Sequence, residues 1–426
     1  MEDYLKAFDN VIGYDDIKNE LMPICDMFHN PEKYAKLGVV MPSAAVLEGL
    51  PGYGKTLMCK CFIEACGVPY FVCRKDKANG DFINYMKKCF DDAVEKAPAI
   101  VFLDDMDKFA NDDQDHKNSE EYVAVQACID NVKGKNVFVI ATTNEVFNLP
   151  DSLLRAGRFD IRFEMSGLNK DDQMKLIEHF LSNKPVAKDL SIEHIWQILG
   201  NNVSCAELEK IINDTAIKVA FKQKSVIEYK DIVDACLRHH FCVIDEHIDE
   251  ITDQHRVTAC HEAGHAIVSE ILDPNSVGLV SIQAYRGSTA GVTEFVFDEY
   301  EQKTHIAKEQ RIIALLAGKA ASEIVLNQKD MGSWHDIYKA KKMIVRLRDD
   351  DCVYGFDCAV DTDSSSEQLN RADRTLNAEL DRFYAEAKKI VFEHRDFLDA
   401  VVNALLEKKT IFAEDIQAIK KELKLA

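Results

Sequence analysis

No run of about 18 consecutive apolar residues occurs anywhere in this 426-residue chain, so no membrane-spanning helix is expected. The opening residues, Met1-Glu2-Asp3-Tyr4-Leu5-Lys6, lack the positive-then-apolar order of a secretory leader. Basic residues are scarce: 52 Lys and Arg stand against 73 Asp and Glu, a formal charge of −21. Neutralising phosphates needs a basic stripe, so nucleic acid is not an expected partner. The acidity is read as a solubility device. No CxxC pair occurs among the 13 cysteines, their number is odd, and many sit in apolar runs such as Leu57-Met58-Cys59-Lys60-Cys61-Phe62. They are expected to be buried, reduced thiols of a reducing compartment, which makes the cytoplasm the expected location. Internal repeats are lacking too.

What is present suits a soluble globular protein of two or three domains: 47% apolar and 29% charged residues. Residues 1–165 alternate short apolar runs (Ala44–Glu48, Tyr70–Cys73, Ala99–Leu103, Asn136–Thr142) with longer charged amphipathic stretches. That alternation predicts an α/β module with a parallel sheet and helices on both faces. Residues 166–244 turn purely helical, for example at Asp171–Leu181 and Cys205–Phe221, and predict a small helical subdomain. Acidic Asp245–Thr252 marks the next boundary, and 245–426 reads as a mainly helical, all-α domain. Its exceptions are a hairpin or pair of edge strands within Gly278–Phe297 and a polar loop at Asp361–Ser366.

Gly49-Leu50-Pro51-Gly52-Tyr53-Gly54-Lys55-Thr56 has the GxxxxGKT spacing, placed after a strand and before a helix. Glycines at those positions let backbone N–H groups cradle phosphate oxygens, Lys55 reaches the terminal phosphates, and the Thr56 hydroxyl can hold Mg²⁺. A glycine-rich helix cap is the plain alternative. The run Ile100-Val101-Phe102-Leu103-Asp104-Asp105 ends in two carboxylates: Asp104 for Mg²⁺, Asp105 for polarising the attacking water. Ala141-Thr142-Thr143-Asn144 ends another strand with an amide able to orient water, and Leu153–Asp160 presents Arg155 and Arg158 in a turn. Taken together with those strands, the two arginines have the character of fingers acting on a neighbour's nucleotide, which demands an oligomeric ring.

Further on, His261-Glu262-Ala263-Gly264-His265 lies in an apolar-periodic stretch. On a helix, positions i and i+4 share a face, so both imidazoles reach one metal, and Glu262 falls beside it as general base. Small Ala263 and Gly264 suit close packing around a metal. A third ligand must come from elsewhere. From the residues alone, Asp336 and His335 in Met331-Gly332-Ser333-Trp334-His335-Asp336-Ile337 are rivals, and Asp336 could equally close a capping box with Ser333.

In this order the motifs resemble an AAA+ ATPase and, within that class, the FtsH-type zinc metalloproteases of peptidase family M41, over nearly the whole chain. Phe8-Asp9-Asn10-Val11-Ile12-Gly13 is similar to the family's approach to the adenine pocket, and Ser204-Cys205-Ala206-Glu207-Leu208 to its second helical-subdomain motif. The resemblance implies that ATP sits against Ile12, Gly13, Gly49, Leu50, Pro51, Gly52, Tyr53, Gly54, Lys55, Thr56, Leu57 and Asp104. It implies catalytic roles for Glu262, Asp105, Asn144, Arg155 and Arg158, and Zn²⁺ on His261, His265 and Asp336. It places Glu323 as an acid supporting the metal site. Mg²⁺, a homohexameric ring, and unfolded or tagged protein substrates come with it.

The chain departs from that pattern in places. The family's two N-terminal membrane helices have no counterpart, and the Met1 start favours a naturally membrane-free relative over a trimmed chain. Asp105 stands where the family has Glu; one methylene less sets the carboxylate back by about 1 Å, and such misplacement can cost roughly 100-fold. The family's aromatic pore loop is replaced by Arg74-Lys75-Asp76-Lys77-Ala78-Asn79-Gly80-Asp81-Phe82, leaving Phe82 or Tyr85 as substitutes or as core residues. Cys205 replaces a glycine, with no reactivity implied. Besides an ATP-dependent zinc endopeptidase, the sequence therefore admits a zinc peptidase on a weakly active AAA+ scaffold and a non-proteolytic remodelling protein with structural zinc.

Overall fold

The computed structural model describes residues 3–76, 79–109, 119–199, 203–241, 250–283, 291–295, 304–327, 333–355 and 366–425. They form two compact units, Met1–Ser182 with Ser204–Lys210, and Asn183–Val203 with Ile211–Ala426.

The first unit runs α1 (Asp15–His29), α2 (Pro31–Ala35), β1 (Ala44–Glu48), α3 (Lys55–Cys66), β2 (Tyr70–Cys73), α4 (Asn79–Glu95), β3 (Ala99–Leu103), α5 (Glu120–Val132), β4 (Val137–Thr143), β5 (Phe159–Glu164) and α6 (Lys170–Leu181). The strands pair in parallel in the order β2-β3-β4-β1-β5. The central strands β3, β4 and β1 are apolar up to their C-terminal ends, where Glu48, Thr142 and Thr143 stand, because each face feeds a separate core. Val101 and Leu103 of β3 join Val139, Phe82 and Phe109 on one side, while Ile100 and Phe102 join Phe138, Leu47 and Phe62 on the other. β4 is shifted by one residue toward the C-terminus from its expected bounds.

β5 is not among the expected strands. It closes the sheet edge, so Phe159 and Phe163 are buried while the charged residues between them are not, and this half-polar pattern reads as a turn. The connection from β2 to α4 also answers the pore-loop question. Phe82 is fully buried and packs edge-on against Phe109, with ring centroids 4.8 Å apart. Tyr85 donates its hydroxyl to the Val72 carbonyl at 3.1 Å. Both aromatics thus serve the internal packing of this unit, and Arg74–Gly80 contains no other. Phe82→Ala is expected to lower stability by about 3–5 kcal/mol, the range for truncating a buried phenylalanine. A denaturant midpoint equal to wild type would return Phe82 to the candidates for substrate contact.

The second unit carries α7 (Ile192–Leu199), most of α8 (Cys205–Phe221), α9 (Tyr229–Phe241), α10 (Asp253–Leu272), β6 (Val277–Ser281), β7 (Val292–Phe295), α11 (His305–Leu326), α12 (Trp334–Asp349), α13 (Ser366–Glu393), α14 (Arg395–Lys408), β8 (Thr410–Phe412) and α15 (Ala413–Glu422). α10 starts on a reciprocal cap: the Thr252 hydroxyl accepts from the His255 N–H and the His255 ring accepts from the Thr252 N–H. The expected hairpin is present as β6 and β7, antiparallel, with Val280 opposite Thr293. Its turn, 284–290, and most of the polar loop, 361–365, lie outside the described residues. The sequence does not foretell β8, a three-residue strand that joins the other side of β6. Glu270 of α10, almost fully buried, accepts from the N–H groups of Asn275 and Val277 and from Gln417 and Lys420 of α15. The C-terminal helix is thereby tied to the helix that carries His261 and His265.

Candidate nucleotide and metal sites

The glycine-rich loop leaves β1 and enters α3. Gly52 and Gly54 take φ of 86° and 91°, left-handed values that side chains with a Cβ resist. Lys55, buried at the first position of α3, donates to the carbonyls of Gly49 (2.6 Å) and Leu50 (2.8 Å). Burial depresses its pKa, and the nearby carboxylates of Asp107 and Asp105 oppose that shift. The Thr56 hydroxyl donates to Asp104 Oδ1 at 3.1 Å, and Thr142 donates to the same oxygen at 3.0 Å while accepting the Asp105 N–H at 2.8 Å. β1, β3 and β4 thus deliver lysine, hydroxyl and carboxylate to one strand-end cluster. Leu50, Pro51 and Leu57 stay exposed beside it.

Other expected positions gather there too. Gly13 turns at φ 75° against Leu168 and Asp172, next to Tyr14, whose hydroxyl donates to the Ser166 carbonyl. Ser204 and Glu207 form a capping box for α8, and the Ala206 N–H donates to the Gly52 carbonyl at 3.1 Å. The Cys205 thiol is pushed up to about 11 by burial, so it carries little thiolate, in keeping with an inert role. Asn144 is held by a residue the motif reading passes over: Asp107 accepts from its backbone N–H (3.0 Å) and its side-chain amide (3.2 Å). A third acid three residues after Asp104 is the only trace of this in the sequence.

The two arginines of the turn part company. Arg158 is tied within the chain, to Asp130 at 2.7 Å and to the Ser152 carbonyl. Hydrogen bonds from Arg158 and Lys133 hold the Asp130 carboxyl down at about 2. Arg155 is exposed, with no polar partner among the described residues. Asp105 adopts φ 55° and meets Lys108 at 2.7 Å and Arg74 at 3.6 Å; Arg74 also lies 3.1 Å from Asp104.

The metal ligands come from two helices. His261 and His265, one turn apart on α10, bring their Nε2 atoms to 3.0 Å. Asp336, in the first turn of α12, sets Oδ2 3.3 Å from His261 Nε2 and 3.5 Å from His265 Nε2. A tetrahedral zinc with bonds of about 2.0–2.1 Å separates its ligand atoms by about 3.3 Å, and this triangle has nearly that size. His265 Nδ1 lies 2.8 Å from the Ala314 carbonyl, which can only accept. That bond puts the proton on Nδ1 and frees the Nε2 lone pair for a metal. Burial raises the Asp336 carboxyl, but hydrogen bonds from His261 and His265 outweigh it and keep the group ionised. The donor set and spacing therefore fit zinc. His335 is exposed and outside the cluster, and Ser333 gives α12 no side-chain cap, so Asp336 faces the histidines instead of closing a capping box.

Glu262, buried beside the triangle, accepts the Thr293 hydroxyl from β7 at 2.8 Å on Oε2. Burial raises its pKa against the pull of His261, His265 and that hydrogen bond. Thr293 escapes sequence reading because a threonine in a strand needs no other explanation. Gly318 of α11 escapes it as well: a Cβ there would lie 2.4 Å from His265 Nε2 and 2.8 Å from His261 Nε2. Gly264 does pack closely, though against α11, where a Cβ would meet Ala321 at 2.5 Å and the Ala317 carbonyl at 2.6 Å. Glu323 pairs with Lys319 (3.0 Å) and Lys388 (2.9 Å); burial raises its carboxyl, and bonds from Lys388, Tyr384 and Lys319 bring it down to about 2. Its described contacts are those of an ion pair between α11 and α13.

A P-loop ATPase module and an HExxH peptidase module therefore share one chain. The model of the ATPase family associated with various cellular activities (AAA) matches residues 45–166, and that of peptidase family M41 matches residues 249–348. The chain is 27% identical over 432 residues to the ATP-dependent zinc metalloprotease FtsH 2 of Thermoanaerobacter sp. (strain X514), covering 98% of this chain and 83% of that protein. It is 28% identical over 452 residues to FtsH of Caldicellulosiruptor bescii, with 97% and 72% covered. With FtsH of Cupriavidus metallidurans it shares 29% over 453 residues, with 97% and 68% covered. The chain thus carries an AAA ATPase domain and a peptidase family M41 domain, and it is similar to FtsH-type zinc metalloproteases over nearly its whole length. Among the described residues, no helix is long and apolar enough to cross a membrane.

Proposed function

We propose that the protein is an ATP-dependent zinc metalloendopeptidase. The observation that carries this is the ligand triangle of His261, His265 and Asp336 with Glu262 beside it, in a chain that also holds a P-loop. Residues 1–165 and 166–244 act as ATPase modules and 245–426 as the peptidase. His261, His265 and Asp336 hold zinc, which supplies Lewis-acid polarisation and acidifies water when bound. Glu262 takes a proton from the attacking water and passes it to the departing amine. Its burial suits that task by keeping its affinity for a proton high, and Thr293 fixes which carboxylate oxygen stays free. His265 is held in its metal-binding tautomer by the Ala314 carbonyl.

In the ATPase module, the loop from Gly49 to Thr56 cradles the phosphates, with Ile12, Gly13 and Leu57 toward the base. Lys55 exchanges its two loop carbonyls for phosphate oxygens. Thr56 and Asp104 receive Mg²⁺ as part of the Mg·ATP substrate, Asp105 polarises water, and Asp107 steadies Asn144. Arg155, without a polar side-chain partner among the described residues, acts on a neighbour's nucleotide in a homohexameric ring, and Arg158 braces the turn that presents it. The substrates are unfolded or tagged proteins.

One arrangement favours a slow motor. Asp105, already a methylene short, is engaged by Lys108 and Arg74, and the β2–α4 connection offers no aromatic paddle. The test is casein degradation by the full chain with Zn²⁺ and Mg·ATP. Chelation is expected to abolish cleavage, and Lys55→Ala to cut ATP hydrolysis roughly 10²–10³-fold, as for other preorganised donors. Cleavage that survives metal removal would overturn the zinc assignment. ATP turnover unaltered in Lys55→Ala would overturn the P-loop assignment.

A further inference from the structure

Among the described residues, Arg74 is the one cation placed on both strand-end carboxylates of the nucleotide site, and no sequence motif calls for it. The Asp104 N–H donates to the Cys73 carbonyl at 3.0 Å, locking the ends of β2 and β3 together, so the residues that follow each strand emerge side by side. Arg74 then reaches Asp104 Oδ2 at 3.1 Å and Asp105 Oδ2 at 3.6 Å. The next residue is pinned: Lys75, itself largely buried, donates to the Phe109 carbonyl at 2.5 Å and pairs with buried Glu121 at 3.3 Å. The backbone that launches Arg74 is thereby fixed. On its other oxygen, Asp104 takes the hydroxyls of Thr56 and Thr142. Both oxygens of this carboxylate are occupied, one of them by a permanent positive charge.

We propose that Arg74 is a tethered cation that competes with the divalent ion for the Asp104–Asp105 pair. The inference rests on the nucleotide-site reading above and deepens it. A dication arriving at the Thr56 hydroxyl is attracted by the Asp104 carboxylate, and the guanidinium cancels part of that attraction within a few ångströms. Ion pairs between two exposed groups are worth little. Here, however, the Asp104 side chain is only 6% exposed while Arg74 is 62% exposed. The buried partner keeps the pair from being fully screened, and the exposed one leaves Arg74 free to swing out when the ion enters. Arg74 departure and ion entry are then linked, and the linkage acts equally in both directions. In the ion-free state Arg74 neutralises the carboxylates that face the phosphates, so it also supports nucleotide binding without a divalent ion.

The experiment measures binding of a fluorescent ADP analogue to the full chain across a Mg²⁺ titration, in wild type, Arg74→Ala and Arg74→Lys. Arg74→Ala is expected to lower the half-effective Mg²⁺ concentration about fivefold, the upper end for an exposed pair. In EDTA the same variant is expected to bind the analogue more weakly than wild type. Arg74→Lys, which keeps the charge, is expected to stay within about threefold of wild type on both measures, a rescue that loss of side-chain bulk alone would not give. An Mg²⁺ midpoint unmoved in Arg74→Ala, with normal analogue binding, overturns the role of Arg74 and leaves the nucleotide site standing. Failure of wild type to bind the analogue at all overturns both.

Discussion

Gly318→Ala is expected to leave the chain folded and to cost it its metal, lowering zinc affinity by at least roughly 100-fold, the upper range for residues that support a metal's ligands. The new methyl carbon would stand 2.4 Å from His265 Nε2 and 2.8 Å from His261 Nε2 and Cε1. Only the tips of two imidazoles have to yield, so the cost in stability is small. Those tips are the ligand atoms. His265 cannot swing aside without giving up its Nδ1 bond to the Ala314 carbonyl, which sits one turn back on the same helix as Gly318. Zinc content after dialysis against a competing chelator, with thermal unfolding measured alongside, separates the two effects. A variant that retains zinc as wild type does would show that α11 can recede and that the close approach is not needed.

Glu262→Gln is expected to reverse that outcome: metal retained, peptide hydrolysis reduced by roughly 10²–10⁴-fold, the usual weight of a positioned general base. The amide is nearly isosteric and can still take the Thr293 hydroxyl on its oxygen, so the pocket keeps its shape. What it lacks is the carboxylate that receives the water's proton. ATP hydrolysis in the other module should be unchanged, which makes the ATPase rate an internal control for folding. Equal casein cleavage by both proteins would remove Glu262 from the reaction and leave zinc as a structural ion.

Residues whose job is chemical were legible where a short motif fixes them relative to one another. Gly49 to Thr56 and His261 to His265 each place their functional atoms by local spacing, and the structure brings each set together. Asp336 is different: 75 positions from His261, it rivals His335 on the residues alone, the family resemblance favours it, and the first turn of α12 sets it against both histidines. Residues that work by being small or by sharing a hydrogen bond left almost no mark. Gly318 sits in Ala317-Gly318-Lys319, where a glycine suggests nothing but a weak helix, and its meaning appears only when α11 lies against α10. Thr293 and Asp107 act across the gap between elements, which no single-segment pattern records. Of the fold, the buried strands were read from their unbroken apolar runs, whereas β5 and β8, at a sheet edge and only three residues long, were too polar or too short to stand out.

The contact of Gly264 with Ala317 and Ala321 also bears on how long a metal stays once it arrives. With no side chain between them, α10 and α11 have little room to slide, and the spacing of the histidine tips inherits that stiffness. A buried His265, pinned from behind by a main-chain oxygen, cannot release its ligand atom by a rotamer change alone. Release of the metal by His265 is then expected to need a movement of α10 against α11, an event on the scale of local unfolding. The dissociation rate of zinc should follow the opening of this seam more than the strength of any one coordinate bond.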